Sequence, residues 1–235
     1  MTSFAKIRAR AEKRKGKAEL AAMLPKVPPR AALAKLTDDR VLSDMTKRVF
    51  SAGFSWSVIE AKWPGFEAAF DRFDPARLAF EPDEFWEGLA RDPRIVRNPV
   101  KIATVRKNAA FVRAIAGEHG SFGKFLSQWP PDDQVGLLAL LTKRGSHFGG
   151  ATGAMFLRYI GWDAYVLSQD VALALRDSGL DIAPEPKSKG DLAKIQARFN
   201  AYAKESGLPY AHLSRILAMS IGENRTPDYL RADTP

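Results

Sequence analysis

The 235-residue sequence predicts an all-α protein. From Thr37 onward apolar residues recur at helical spacing almost everywhere, no stretch alternates cleanly enough for a sheet strand, and Pro, Gly and Asp mark element ends at helix-length intervals. Thr37-Asp38-Asp39 supplies an N-cap and an acidic first turn for a helix to about Ser51, with Val41, Leu42, Met45, Val49 and Phe50 inward. Gly53 breaks it. A second helix, about Trp56 to Lys62, should end before Pro64, and Phe66, Phe70 and Phe73 line the segment that follows. Asp74-Pro75 opens a short helix. Pro82-Asp83 opens another, which carries Phe85, Trp86 and Leu89 and stops at Asp92-Pro93. Val100 to Ala116 reads as a long amphipathic helix, and Phe122 to Trp129 as a shorter one ended by Pro130-Pro131.

Asp132-Asp133 cap a helix through Leu141. The run KRGSHFGG at residues 143–150 is too glycine-rich to continue it, and a second helix follows from Ala151 to Ile160. The order is helix, hairpin, helix. Gly145, Gly149 and Gly150 admit two readings: a cradle of backbone N–H groups that meets a phosphate at a helix N-terminus, or a tight turn between packed helices. Beyond Gly161-Trp162, Ser168 is an N-cap and Asp170 lies in the first turn of a helix to about Ser178. A carboxylate there is stabilised by the helix dipole whatever else it does. Residues 183–190 form a polar linker before two last helices, about Asp191 to Ser206 and Tyr210 to Ile221, and an irregular tail.

Hydrophobic residues make up 46% and charged residues 27% of the chain, proportions of a folded soluble protein that exclude a mostly disordered one. No apolar run approaches bilayer length, and residues 1–17 carry Lys and Arg without an apolar segment, so a cytoplasmic protein is expected. The complete lack of cysteine excludes disulfides, thiolate metal ligands and a cysteine nucleophile. His119, His147 and His212 are scattered without ligand spacing, and zinc is not expected.

The net charge of +9 is concentrated at one end: residues 1–35 hold ten Lys/Arg against two Glu, a net +8. This segment reads as a basic arm, lying along phosphates or solvated as a frayed terminus. The expected organisation is therefore an arm at 1–35, a core at 36–182, a linker at 183–190, and helices at 191–235 that pack on the core.

Three stretches resemble, in order, the 3-methyladenine DNA glycosylase I family: SAGFSWSVIEAKWPGFEAAFDRFDP at 51–75, IVRNPVKIATVRKNAAFV at 95–112 and LTKRGSHFGGATGAMFLRYIG at 141–161. The resemblance implies the helix-hairpin-helix DNA glycosylase-like helical fold, with a cleft, and a base-excision enzyme that acts on double-stranded DNA containing a damaged base. It implies that Trp56 stacks on the flipped base, with Arg48 at the same pocket. Phe54, after Gly53, is then the wedge that fills the gap left in the duplex, as the chemistry of base extrusion demands. The hairpin contacts to DNA fall on Lys143, Arg144, Gly145, His147, Gly149, Gly150 and Thr152. Arg97 and Lys101 become further phosphate contacts, and Asn98 a tether between helices.

Asp170 matches the aspartate that follows the hairpin in the wider superfamily, where a carboxylate stabilises the cation developing on the sugar or orients a water. A lyase would need a lysine at about Ala151 or Thr152, so a monofunctional hydrolase of an alkylated purine, such as 3-methyladenine, is implied. No cofactor is expected, although the hairpin is of a kind that can hold a monovalent cation. No membrane partner is expected, and the protein should be a monomer.

The chain departs from the family in three ways. The N-terminal zinc snap is missing, as is the acidic, Tyr- and Trp-containing motif that lines the pocket from that end. The glutamate that recognises the methylated adenine, eight residues before the Trp, falls on Arg48, which has donors only. Two further readings stand beside the enzyme: a non-catalytic DNA-binding protein on the same scaffold, recognising damaged or distorted duplex, and a helical interaction module with a basic tail.

Overall fold

The structure, a computed structural model, describes residues 2–222. Among these the regular elements are helices: α1 (Phe4–Lys15), α2 (Lys17–Ala22), α3 (Asp38–Ser51), α4 (Trp56–Ala69), α5 (Pro75–Leu78), α6 (Asp83–Leu89), α7 (Pro99–His119), α8 (Phe122–Gln128), α9 (Gln134–Arg144), α10 (Ala151–Tyr159), α11 (Gln169–Asp177), α12 (Lys189–Ser206) and α13 (Tyr210–Ser220), with short 3-10 turns at Arg30–Lys35 and Asp71–Phe73. The all-α expectation stands. No described helix is long and apolar enough to cross a membrane. The irregular tail expected after Ile221 falls, but for Gly222, outside the described residues.

The chain forms two compact units. Of the described residues, one takes 2–28, Pro130–Gly136 and 163–222; the other takes Pro29–Trp129 and Leu137–Trp162.

In the first unit the expected basic arm is a structural element. Phe4, Ile7 and Ala11, spaced three and four apart, line one face of α1 and are buried in a cluster with Leu20, Met23, Leu175, Phe199, Leu213 and Leu217. The charges that hide this face in the sequence are themselves engaged. Arg10 pairs with Asp177 at 2.5 Å. Arg14 donates to the carbonyls of Met219 and Gly222 at 3.2 and 2.6 Å, the C-terminal end of α13 where carbonyls lack helix partners. Glu205 of α12 accepts the first free N–H groups of α1, from Phe4 and Ala5, at 3.1 and 3.3 Å. Gln134 and Tyr165 exchange side-chain-to-backbone bonds, both at 2.8 Å, inside the same unit.

The second unit is built around an aromatic stack. Trp63 lies parallel to Phe66 and Phe73 with centroids 5.0 and 5.5 Å apart, and Phe70 stacks on Phe73 at 5.3 Å. This packing carries α4 straight through Pro64, where a stop was expected. Proline costs the helix one hydrogen bond. The rings on either side of it belong to one buried face, and breaking the helix there would separate Trp63 from Phe66. The stack also holds Asp71, Arg72 and Phe73 in left-handed backbone (φ 46°, 53° and 63°), which brings Phe73 back over Trp63.

Candidate functional site

Arg48 sits in the last turn of α3, Trp56 begins α4 and Tyr159 ends α10; α3 packs on α10, and this packing brings the three side chains together. The Arg48 guanidinium carbon is 4.1 Å from the Trp56 ring centre and 3.6 Å from that of Tyr159, with the two rings 5.6 Å apart. Arg48 is only 5% exposed, and its Nε–H, fully buried, has no hydrogen-bond partner. Burial pulls its pKa down, opposed by Tyr159 and Asp44. Trp56 and Tyr159 themselves are half-buried.

Asp44 borders this corner, and Glu67 in turn acts on Asp44. Burial pushes the Asp44 carboxyl above its ordinary value, against the pull of Arg48, Lys47 and Arg40. Burial works on Glu67 as well, but hydrogen bonds from Arg40, Ser43 and Trp63 hold it below the usual range. Lys47 bridges to Glu60 at 2.7 Å and lies 5.4 Å from the Trp56 ring centre.

The loop between α3 and α4 presents Phe54 outward, 43% exposed, after Gly53 at φ 77°. A left-handed residue there turns the chain away from α3 at no cost to glycine. Lys101, expected at phosphate, has its ammonium on the carbonyls of Phe50 and Ala52 and 4.7 Å from the Phe54 ring centre. It braces the loop from inside. Asn98, expected as a tether, caps α7 by accepting the Lys101 N–H at 3.1 Å. Arg97 is exposed.

The hairpin follows α9 at residues 145–150. Gly153 lets α10 approach closely: a Cβ there would lie 2.8 Å from the Phe148 carbonyl. Gly149 and Gly150 are exposed, Gly150 is left-handed at φ 60°, and added Cβ atoms would meet nothing, so their backbone faces open space before the N-terminus of α10. Lys143 and His147 are exposed, His147 at φ 67°, and Thr152 is half-buried. Arg144 is engaged in a two-pronged pair with Glu118 at 2.9 and 2.6 Å. The clamp that shapes the loop is Asn108 of α7, fully buried: it receives the Ser146 N–H at 2.7 Å and donates to the Ser146 carbonyl at 3.3 Å. A polar residue on the apolar face formed by Val105, Ala109 and Val112 was the only sequence sign of this role.

Asp170 belongs to the other unit. It stands in the first turn of α11, capped by Ser168 through the Val171 N–H at 3.2 Å. Gly222 packs against it so tightly that a Cβ would lie 2.7 Å from its Oδ1, and Gly222 is left-handed at φ 76°. Among the described residues no group of three or more His, Cys, Asp or Glu side chains is arranged to hold a metal ion. His212 instead bonds the Pro25 carbonyl at 2.9 Å.

The second unit thus defines an all-helical protein with an open glycine hairpin, an exposed phenylalanine loop and a cation held against two aromatic faces. Residues 34–136 match the model of the methyladenine glycosylase family, an enzyme family, and the resemblance read from the sequence stands. The match contains Arg48, Phe54, Trp56 and Lys101 and ends before the hairpin and Asp170. The chain is also similar in part to three solved structures. One is a 3-methyladenine DNA glycosylase I, 23% identical over 60% of this chain and 82% of its own, with TM-score 0.47. The second is a mutant of 3-methyladenine DNA glycosylase I from Staphylococcus aureus, 24% identical over 54% and 78%, TM-score 0.48. The third is a 3-methyladenine DNA glycosylase I in complex with 3-methyladenine, 24% identical over 53% and 77%, TM-score 0.48.

Proposed function

We propose that this chain is a monofunctional DNA glycosylase that hydrolyses the N-glycosidic bond of a damaged purine in duplex DNA, in the first instance an alkylated one such as 3-methyladenine. The observation that carries the reading is the methyladenine glycosylase match across residues 34–136. Each side chain then has a task. Phe54 enters the gap left by the extruded nucleotide, and Lys101 keeps its loop in shape. Trp56 offers an aromatic face to the base. The open backbone of Gly149 and Gly150 and the N-terminus of α10 take a phosphate without reading sequence. Asp170 stabilises the cation that develops on the sugar, or orients the water that attacks C1′ as the base departs. Ala151 and Thr152 offer no amine, so the abasic site is left uncut. The protein acts as a cytoplasmic monomer without a metal cofactor.

The test is release of free base from methylated duplex DNA by the wild-type chain and by Asp170→Asn, with the products separated chromatographically. Release that falls by two or more orders of magnitude in the variant supports the reading. One observation favours the non-catalytic alternative: the guanidinium of Arg48 already lies on the Trp56 face, 4.1 Å from its centre. Binding to abasic duplex without release of any base would establish that alternative.

A further inference from the structure

Arg48 is unusual as a buried group. It is 5% exposed, pressed on the faces of Trp56 and Tyr159, and its Nε–H has no acceptor. A buried donor without an acceptor destabilises the folded chain. Aromatic faces stabilise the guanidinium charge, and the Tyr159 side chain also hydrogen-bonds it, but neither gives the Nε–H an acceptor. A planar ligand stacked beside the two half-exposed rings would bring hydrogen-bond acceptors to the rest of the guanidinium group. Guanidinium has five donors and no acceptor, so it pairs with an edge carrying adjacent acceptors and disfavours one carrying an amino group. Among purines the edge with two adjacent acceptors is O6 with N7; an adenine-type edge replaces O6 by an N–H donor.

We propose that Arg48 is a specificity-determining residue that makes the Trp56–Tyr159 corner a site for 6-keto purines, with O6 and N7 free, in preference to 6-amino purines. The inference rests on the glycosylase reading for the ligand being a nucleobase. It narrows that reading to an order of preference among damaged purines: 3-alkylguanine and hypoxanthine, which keep both acceptors, come ahead of 3-methyladenine, which does not.

Free hypoxanthine and free adenine differ at this edge in O6 against the amino group, and their binding to the full chain is read by quenching of tryptophan fluorescence. Hypoxanthine should bind about tenfold or more tighter than adenine. Trp56→Phe should lose most of the quenching, and Arg48→Gln should remove the preference. Arg48→Glu, whose carboxylate only accepts, should reverse it. Far-UV circular dichroism on each variant identifies any that fails to fold, and Arg48→Gln, which neither reverses the charge nor overfills the corner, decides if Arg48→Glu does not fold. Equal or tighter adenine binding, absence of binding by either base, or tighter binding of both bases to Arg48→Gln would overturn the proposal; the last would mean that Arg48 merely fills the site. Release from duplexes containing deoxyinosine or 3-methyladenine separates the two claims. Hypoxanthine preference without release of any base sinks the glycosylase reading and leaves this one standing, and release of 3-methyladenine unaffected by Arg48→Gln does the opposite.

Discussion

Asn108→Ala tests whether the hairpin is shaped from beneath. The fully buried amide makes two hydrogen bonds to Ser146, receiving the N–H at 2.7 Å and donating to the carbonyl at 3.3 Å. Each such bond contributes about 0.5–1.5 kcal/mol net, so losing both costs about 1–3 kcal/mol. Ser146 is half-buried, and water reaching its freed groups recovers part of this, which places the expected loss at about 1–2 kcal/mol. For a chain of this size that is a fall in Tm of about 2–8 °C. The loop should also lose its set conformation, so affinity for duplex DNA should weaken by several-fold at fixed salt. Asn108→Asp keeps the acceptor for the Ser146 N–H but sets a buried carboxylate oxygen against the Ser146 carbonyl, and at neutral pH it should destabilise at least as much as alanine. Thermal unfolding and fluorescence anisotropy measure the two effects. A stability change below about 0.5 kcal/mol with unaltered DNA affinity would refute the clamp.

Three other outcomes are expected. Deleting residues 1–15 removes Phe4, Ile7 and Ala11 from the first unit's core, so the truncated chain should lose cooperative unfolding; a melting curve like that of the full chain would return the segment to a dispensable arm. Lys101→Met frees the carbonyls of Phe50 and Ala52 and should weaken binding to abasic duplex several-fold while the fold is retained; unchanged binding would show that the Phe54 loop needs no brace. Asp44 has a folded pKa raised by burial, so the native state binds its proton more tightly than the unfolded chain does, and its ionisation destabilises as pH rises through the raised value. Asp44→Asn should therefore raise the unfolding midpoint at pH 7 and have little effect at pH 3, and a variant less stable at neutral pH would mean that the attraction to Arg48 outweighs burial.

Local chemistry wrote much of this molecule into its sequence. Helix starts at Asp38, Asp83, Phe122 and Gln169 follow caps or acidic and proline-bearing first turns that act over three or four residues, and the glycine hairpin between α9 and α10 is as local. The IVRN stretch and the AGFSW loop likewise announced a glycosylase-like segment. Beyond that range the chain's neighbours decide. Pro64 ends a helix by local rules, yet the stacking of Trp63, Phe66 and Phe73 keeps α4 intact. Residues 4–15 look like a solvated cationic tail until α12 and α13 supply a carboxylate for one end of α1, carbonyls for Arg14 and a core for Phe4, Ile7 and Ala11. Lys101 carries no mark of its role and Asn108 only its polarity on an apolar face, because the carbonyls and the loop they hold lie 38 or more residues away along the chain. The spacing of Arg48 and Trp56 was legible, but that the guanidinium would be buried against both Trp56 and Tyr159 with an unpaired Nε–H depended on how α3 packs on α10, since burial and hydrogen-bond partnership are set by the elements brought alongside a side chain.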